Sequence, residues 1–320
     1  MAKAGFWAGV LQGISSAFGG ESAQPKPKRA RAVRRPSSGA VSKPAAASTP
    51  RTLIDAMLAF IPEPPRTKGP GKPSLRSWQG YDPEAARFTE RHPQAFLFGA
   101  IFDRMVSANA AWQSPHLLSL RLGHLDVRKL AAMKPEVLAR SIKRSGDDKA
   151  LHRFPATMAK AIVSASRKLL AEYEGDAARI WTPGTPAGVV VERLQEFDGI
   201  SHKIANMTAR LLVTYYGAHL TGWEDIDVAV DRHVARVFLR TELVPGEPRR
   251  TRYSAAELKP AIIAAARKAN PSFPGALDEA AFVVGREWCH AGGAQCRVGA
   301  RACPLVQLCP GRRKQWEIEG

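Results

Sequence analysis

Cysteine is missing from the first 288 residues of this 320-residue chain. The four it has, Cys289, Cys296, Cys303 and Cys309, fall within one 21-residue window. A disulfide framework spreads its cysteines to staple distant segments; four in one short stretch read as ligands of a single metal centre. Long apolar runs are also missing: none reaches the roughly 20 residues of a spanning helix. The nearest approach, Phe6–Phe18 behind Lys3, has the look of a weak signal-peptide core, although the cysteine usage fits an intracellular chain. Acidic charge is scarce, with 29 Asp and Glu against 47 Lys and Arg and a formal net charge of +18. That surplus favours polyanionic partners, either nucleic acid or an anionic membrane surface. Convincing strand patterns and repeats of 20–50 residues are absent as well.

Residues 1–76 differ in composition from the rest. They hold 13 Lys and Arg and 3 Asp and Glu, including the basic run Lys26–Arg35 and the prolines Pro62, Pro64, Pro65, Pro70 and Pro73. Such a segment buries too little apolar surface to offset its ordering entropy. It is expected to be a disordered basic arm, either binding nucleic acid or merely solvated, with a short helix at Thr52–Phe60 as the exception. From Asp82 onward helical signals dominate. Asp82-Pro83-Glu84 supplies an N-cap, a first-turn proline and an early acid. His92–Ser107 carries Phe96, Leu97, Phe98, Ile101, Phe102, Met105 and Val106 at helical spacing. Further helices are predicted near 126–132, 135–144, 155–174, 187–197, 202–216, 231–240, 254–269 and 277–287, about ten in all.

The segment Leu194–Met207 reads as helix, tight turn, helix. Gly199 can take the turn conformation, Ile200 would pack between the helices, and free N–H groups after Ser201 would point outward, where they can bind phosphate. Ordinary helix packing gives the same pattern. Lys203 lies in the first turn of the second helix, where the macrodipole opposes a cation and so favours the neutral amine that covalent attack requires; a solvent-facing, phosphate-binding lysine fits too. Asp231 precedes a helix with apolar spacing at Val234, Val237 and Phe238. It is either a plain N-cap or a carboxylate held at the mouth of a cleft. The cysteine intervals are six, six and five residues. Structural zinc usually uses close pairs, whereas wide intervals suit a cubane with one thiolate per iron; zinc and disulfides remain the alternatives.

Gly199-Ile-Ser-His-Lys-Ile-Ala-Asn, followed by Val228-Ala-Val-Asp-Arg-His-Val-Ala-Arg-Val, resembles the core of endonuclease III-type DNA glycosylases. The resemblance implies that Lys203 is the nucleophile and Asp231 the second catalytic residue, and that Gly199, Ile200 and Ser201 grip the DNA backbone. Ser201 stands where that family usually has a second glycine, and Phe197-Asp198 replaces its usual Leu-Pro. The 28-residue spacing from Lys203 to Asp231 is longer than the family's, with the extra length in Gly217–Asp225. Met105-Val-Ser-Ala-Asn109 resembles the family's Leu-Leu-Ser-Ala-Gln, which implies that Asn109 fills the gap left by an extruded base. Trp112 is a candidate for stacking on a base or a packing aromatic. Gly285-Arg286-Glu287-Trp288-Cys289 resembles the lead into that family's iron–sulfur loop, with a middle interval four residues longer here. It implies a [4Fe–4S] cluster on Cys289, Cys296, Cys303 and Cys309, with Arg297 and Arg301 on its loop.

The resemblance covers roughly residues 82–312. The expected fold is all-α and two-lobed. Residues 95–222 would form a helical barrel-like domain with the helix-hairpin-helix. Residues 82–92 plus 223–320 would form the cluster lobe. The expected partner is double-stranded DNA with a damaged base, an oxidised pyrimidine being the expected class, bound by a monomer without a membrane. The alternatives are a monofunctional glycosylase that uses Asp231 to steer water, and a non-catalytic DNA-binding or redox protein. The expected location is cytoplasmic and nucleoid-associated in a bacterium, nuclear or organellar in a eukaryote.

Overall fold

The computed structural model describes residues 52–59, 75, 82–143, 149–247, 250–290, 296, 302–310 and 317–319. Most of the basic arm expected over 1–76 lies outside them. α1 (Leu53–Leu58) starts from a capping box, in which Thr52 and Asp55 each accept the other's backbone N–H. It packs on α12 (Leu277–Glu287) with Met57 fully buried, and Leu75 is also fully buried.

Helices α2 (Pro83–Arg91), α3 (Pro93–Phe102), α4 (Ala108–Leu122), α5 (Val127–Ala132), α6 (Pro135–Ile142), α7 (Pro155–Glu172), α8 (Ala187–Gln195) and α9 (His202–Leu211) share one core. α3 is its axis: all residues from Ala95 to Phe102 are buried, as expected of a helix apolar on every side. The predicted run His92–Ser107 therefore does not continue as helix. Another turn would carry Arg104 into that core; the chain bends at Asp103, and Met105 takes a left-handed φ of 57°. α4 has no counterpart among the predicted helices. Pro115 inside it disguised the pattern, since proline removes a helix bond; Ser107 caps its start and Ser114 Oγ bonds the carbonyls of Ala110 and Leu151.

A second core gathers α10 (Arg232–Arg240), α11 (Ala255–Ala269), α12, α1 and the cysteine segment. Two short strands, β1 (Arg252–Ser254) and β2 (Glu317–Glu319), pair in parallel there, with Tyr253 opposite Ile318. Three-residue strands carry too little alternation to be read from sequence. α10 and α12 cross closely: a Cβ on Gly285 would collide with the His233 carbonyl oxygen. α2 differs from its expected placement. The sequence assigned residues 82–92 to the cluster lobe, but Ala85 and Ala86 lie in the first core against α3 and α4. The short α1 is the N-terminal helix that joins the second core.

Candidate active site and cysteine segment

The hairpin between α8 and α9 closes over Phe197–Ser201. Gly199 has a φ of 92°, a conformation that disfavours any side chain. A Cβ there would meet Ile101 of α3 at 3.9 Å, so the turn lies against the end of that helix. Ser201 is the N-cap, its hydroxyl accepting from the Ile204 N–H. Ile200 is buried in the core and its N–H is bonded to the Phe197 carbonyl. It anchors the turn and has no donor left for phosphate, which corrects its expected contact role. The first N–H groups of α9 lack intrahelical acceptors and remain suited to an anion.

Lys203 stands in the first turn of α9, and its Nζ lies 3.7 Å from Asp231 Oδ2. The lysine side chain is 44% exposed and the aspartate 20%. The other oxygen of Asp231 caps α10, accepting from the N–H groups of His233 and Val234 at 2.8 and 2.9 Å. Asp231 is thus both the N-cap and a carboxylate turned to Lys203. The segment leading to it is fastened to α9: buried Asn206 accepts the Asp227 N–H at 2.7 Å. Arg267 grips both oxygens of Asp227 at 2.8 and 3.1 Å, and His202 Nε2 lies 3.8 Å from Asp227 Oδ2. Neither Asn206 nor Asp227 was singled out from sequence. A buried amide inside an amphipathic helix, where asparagine is disfavoured, was the available signal.

Below this pair, α9 is tied to α12 through buried charge. Arg210 donates to Asp278 at 3.2 Å and to Glu279 at 2.8 Å. Tyr215, in the π-helical turn Leu212–Tyr216 that extends α9, donates to Glu279 at 2.9 Å. Burial pushes the Asp278 carboxyl up to about 6, against the pull of Arg210. Burial also raises the Tyr215 hydroxyl above its usual range.

A third carboxyl group feels the charge of Lys203. Asp103, part-exposed at the C-terminus of α3, is pushed up to about 6 by burial. The charge of Lys203 opposes that rise and that of Asp231 adds to it. Trp112 itself is fully buried, 5.1 Å from Phe96 between ring centroids and pressed on Gly99. It offers no face to a base, a correction to the stacking role; its size filled the core instead. Asn109 is partly exposed in the first turn of α4, where its amide oxygen accepts from Gln113.

None of the four cysteines is in a disulfide. Burial raises the Cys303 thiol to about 12, with Cys296, Cys289 and Cys309 adding to the rise, so the four act on one another. Two buried guanidiniums of α10 adjoin them. Arg240 donates to Cys289 Sγ at 3.4 Å and its carbonyl accepts from Cys309 Sγ at 3.4 Å. Arg236 donates to the carbonyls of Cys289 and Gly285. Sulfur donors beside buried positive charge suit an anionic thiolate centre. Among the described residues no three His, Cys, Asp or Glu side chains stand at metal-holding separations. Residues 291–295 and 297–301, with Arg297 and Arg301, lie outside them. No helix among the described residues is long and apolar enough to cross a membrane.

No protein-family model matches the chain, and no curated protein does. Among solved structures, a thermostable thymine-DNA glycosylase superposes with a TM-score of 0.50 at 13% identity, over 82% of this chain and 95% of that one. Two endonuclease III–DNA complexes align at 20% identity and a TM-score of 0.48, over 72% of this chain. One is a trapped covalent intermediate with an estranged adenine, covered over 93% of its length; the other is non-covalent, covered over 92%. The chain shares the all-α fold of that thymine-DNA glycosylase.

Proposed function

We propose that this protein is a DNA base-excision glycosylase with associated lyase activity, acting from the Lys203–Asp231 pair. The observation that carries the reading is the 3.7 Å approach of an amine and a carboxylate that lie 28 residues apart in sequence. An amine at a helix N-terminus beside a fixed carboxylate suits attack on a sugar carbon with stabilisation of the positive charge that develops there. The target nucleotide must leave the duplex stack to reach it. In the unprotonated state Lys203 bonds to the anomeric carbon as the bond to the base breaks, and the electron pair leaves with the base. Loss of a proton from the alkylated nitrogen and opening of the sugar ring give a Schiff base, from which β-elimination cleaves the strand. Asn109, Ser201 and the first N–H groups of α9 are the proposed DNA contacts on this wall.

Cys289, Cys296, Cys303 and Cys309 would hold a [4Fe–4S] cluster, with Arg236 and Arg240 balancing its charge. Bound there, the cluster supplies order to the C-terminal segment. An oxidised pyrimidine is the proposed damaged base, in duplex DNA and bound by one chain.

The test is a panel of duplexes with defined lesions, incubated with and without borohydride. Wild type should release a base and form a trapped covalent adduct. Lys203→Gln should lose both by at least about two orders of magnitude while still binding lesion DNA. Base release without trapping, retained in Lys203→Gln, would replace the covalent step by Asp231-directed water. Absence of release from every lesion would leave a DNA-binding protein on this fold.

A further inference from the structure

Lys203 and Asp231 stand on two sides of a seam. α9 packs in the first core and α10 in the second. Between them the chain crosses as an irregular strap over 226–230, with Ile226 buried in the first core and Val228 in the second. A helix holds its shape by its own hydrogen bonds, whereas an irregular strap takes its place from the groups that satisfy it. This strap is tethered at Ile226 and Asp227. The Ile226 carbonyl accepts the Gly275 N–H at 2.8 Å. Asn206 Oδ1 of α9 accepts the Asp227 N–H at 2.7 Å, and Nδ2 of the same amide donates to the His202 carbonyl, next to Lys203, at 2.9 Å. The buried Asp227 carboxylate accepts two bonds from Arg267 of α11, at 2.8 and 3.1 Å. Asn206, Asp227 and Arg267 thus form a chain from α9 in the first core to α11 in the second, one helical turn from Lys203 and four residues from Asp231.

We propose that Asp227 and Arg267 are positioning residues of this site: their ion pair latches the strap and so holds Asp231 at its distance from Lys203. The inference rests on the base-excision reading above. A forked guanidinium–carboxylate pair fixes orientation as well as separation. Only Val228, Ala229 and Val230 lie between the latch and Asp231, so the freedom of the longer Gly217–Asp225 loop does not reach the carboxylate. Lys203 needs no such tether, because it stands on the regular helix α9. Loss of the latch therefore displaces Asp231 and leaves the amine in place, and a shift of about 1 Å in a catalytic group is enough to cost about 10²-fold in rate. The Arg267 side chain is 55% exposed, so it can be replaced without opening a core.

The experiment measures two single-turnover rates at saturating enzyme, for wild type, Asp227→Asn, Arg267→Gln and Arg267→Lys. One is base release from a thymine glycol duplex, or from the lesion of the panel above that wild type releases; the other is strand cleavage at a preformed abasic site. Asp227→Asn and Arg267→Gln should slow base release about 10–100-fold and strand cleavage less than about threefold. Arg267→Lys, which keeps the charge without the fork, should recover part of the loss. Circular dichroism melting and binding to a duplex with a tetrahydrofuran abasic analogue report whether each variant is folded; if Asp227→Asn does not fold, Arg267→Gln decides. Base release by folded Arg267→Gln within about threefold of wild type overturns the assignment. So does equal loss in both assays, which marks a displaced α9 rather than a displaced Asp231. So does weaker duplex binding with an unchanged rate, which makes Arg267 a DNA contact. In each of these cases wild-type release leaves the base-excision reading standing, whereas no release by wild type from any lesion removes both.

Discussion

Asp231 holds two positions at once, with one oxygen on the α10 N–H groups and the other toward Lys203. Asn in its place keeps an oxygen for the cap but carries no charge. Asp231→Asn should therefore melt within a few degrees of wild type yet release bases far more slowly. Its strand cleavage at a preformed abasic site should suffer less, because no base has to be expelled there; equal loss in both assays would contradict the charge-stabilising role. Asp103 gives a stability prediction with a definite sign. Its folded value, about 6, lies above the ordinary 3.8. The stability it contributes is therefore complete below about pH 4 and is lost as pH rises through about 6. Asn mimics the protonated form. Asp103→Asn should be more stable than wild type above about pH 7, by about 1–2 kcal/mol after discounting for partial exposure, and equal to it near pH 4. Urea unfolding at both pH values checks this; a variant less stable at pH 7 would show that the carboxylate is needed for packing.

At the scale of elements, the catalytic pair depends on how α9, α10 and α12 are fastened. Arg210 reaches from α9 to two carboxylates of α12 while only 4% exposed. Removing one partner of a buried ion group leaves the other charges uncompensated. Arg210→Ala should cost roughly 3–5 kcal/mol in chemical unfolding; a loss under about 1 kcal/mol would mean that water reaches Asp278 and Glu279. The cysteine segment leans on α10 in the same way. Purified protein should be brown and carry about four irons per chain, and Cys289→Ser should lose iron and solubility together. A colourless protein with one zinc would overturn the cluster.

For the whole molecule, the charge surplus belongs with the polyanion partner proposed above. Residues 1–48 hold 8 Lys and Arg and 1 Glu, and they end before the Thr52 cap of α1. Since α1 and Leu75 are part of the core, the deletion that isolates the arm is 1–48, not 1–76. It should weaken non-specific DNA binding and make the salt dependence shallower, by about 0.9 in log–log slope for each phosphate the arm neutralises. Base release should persist. An unchanged slope would show that these residues do not touch DNA.

Sequence alone determined what periodicity and local chemistry can carry. The helical spacing set most of α2–α12, and the Gly199 turn and the Asp231 cap followed from backbone preferences. The order of these segments resembled one family and led to Lys203 and Asp231 before any contact was visible. Tertiary structure decided what depends on residues far apart in the chain. It placed α2 in the first core and α1 in the second, buried Trp112, and closed the Ile200 N–H on Phe197. It also bridged Arg210 to Asp278 across 68 residues of sequence. The reason is physical: burial and proximity set a carboxyl's charge and an aromatic's exposure, and neither quantity is a property of a residue's neighbours along the chain.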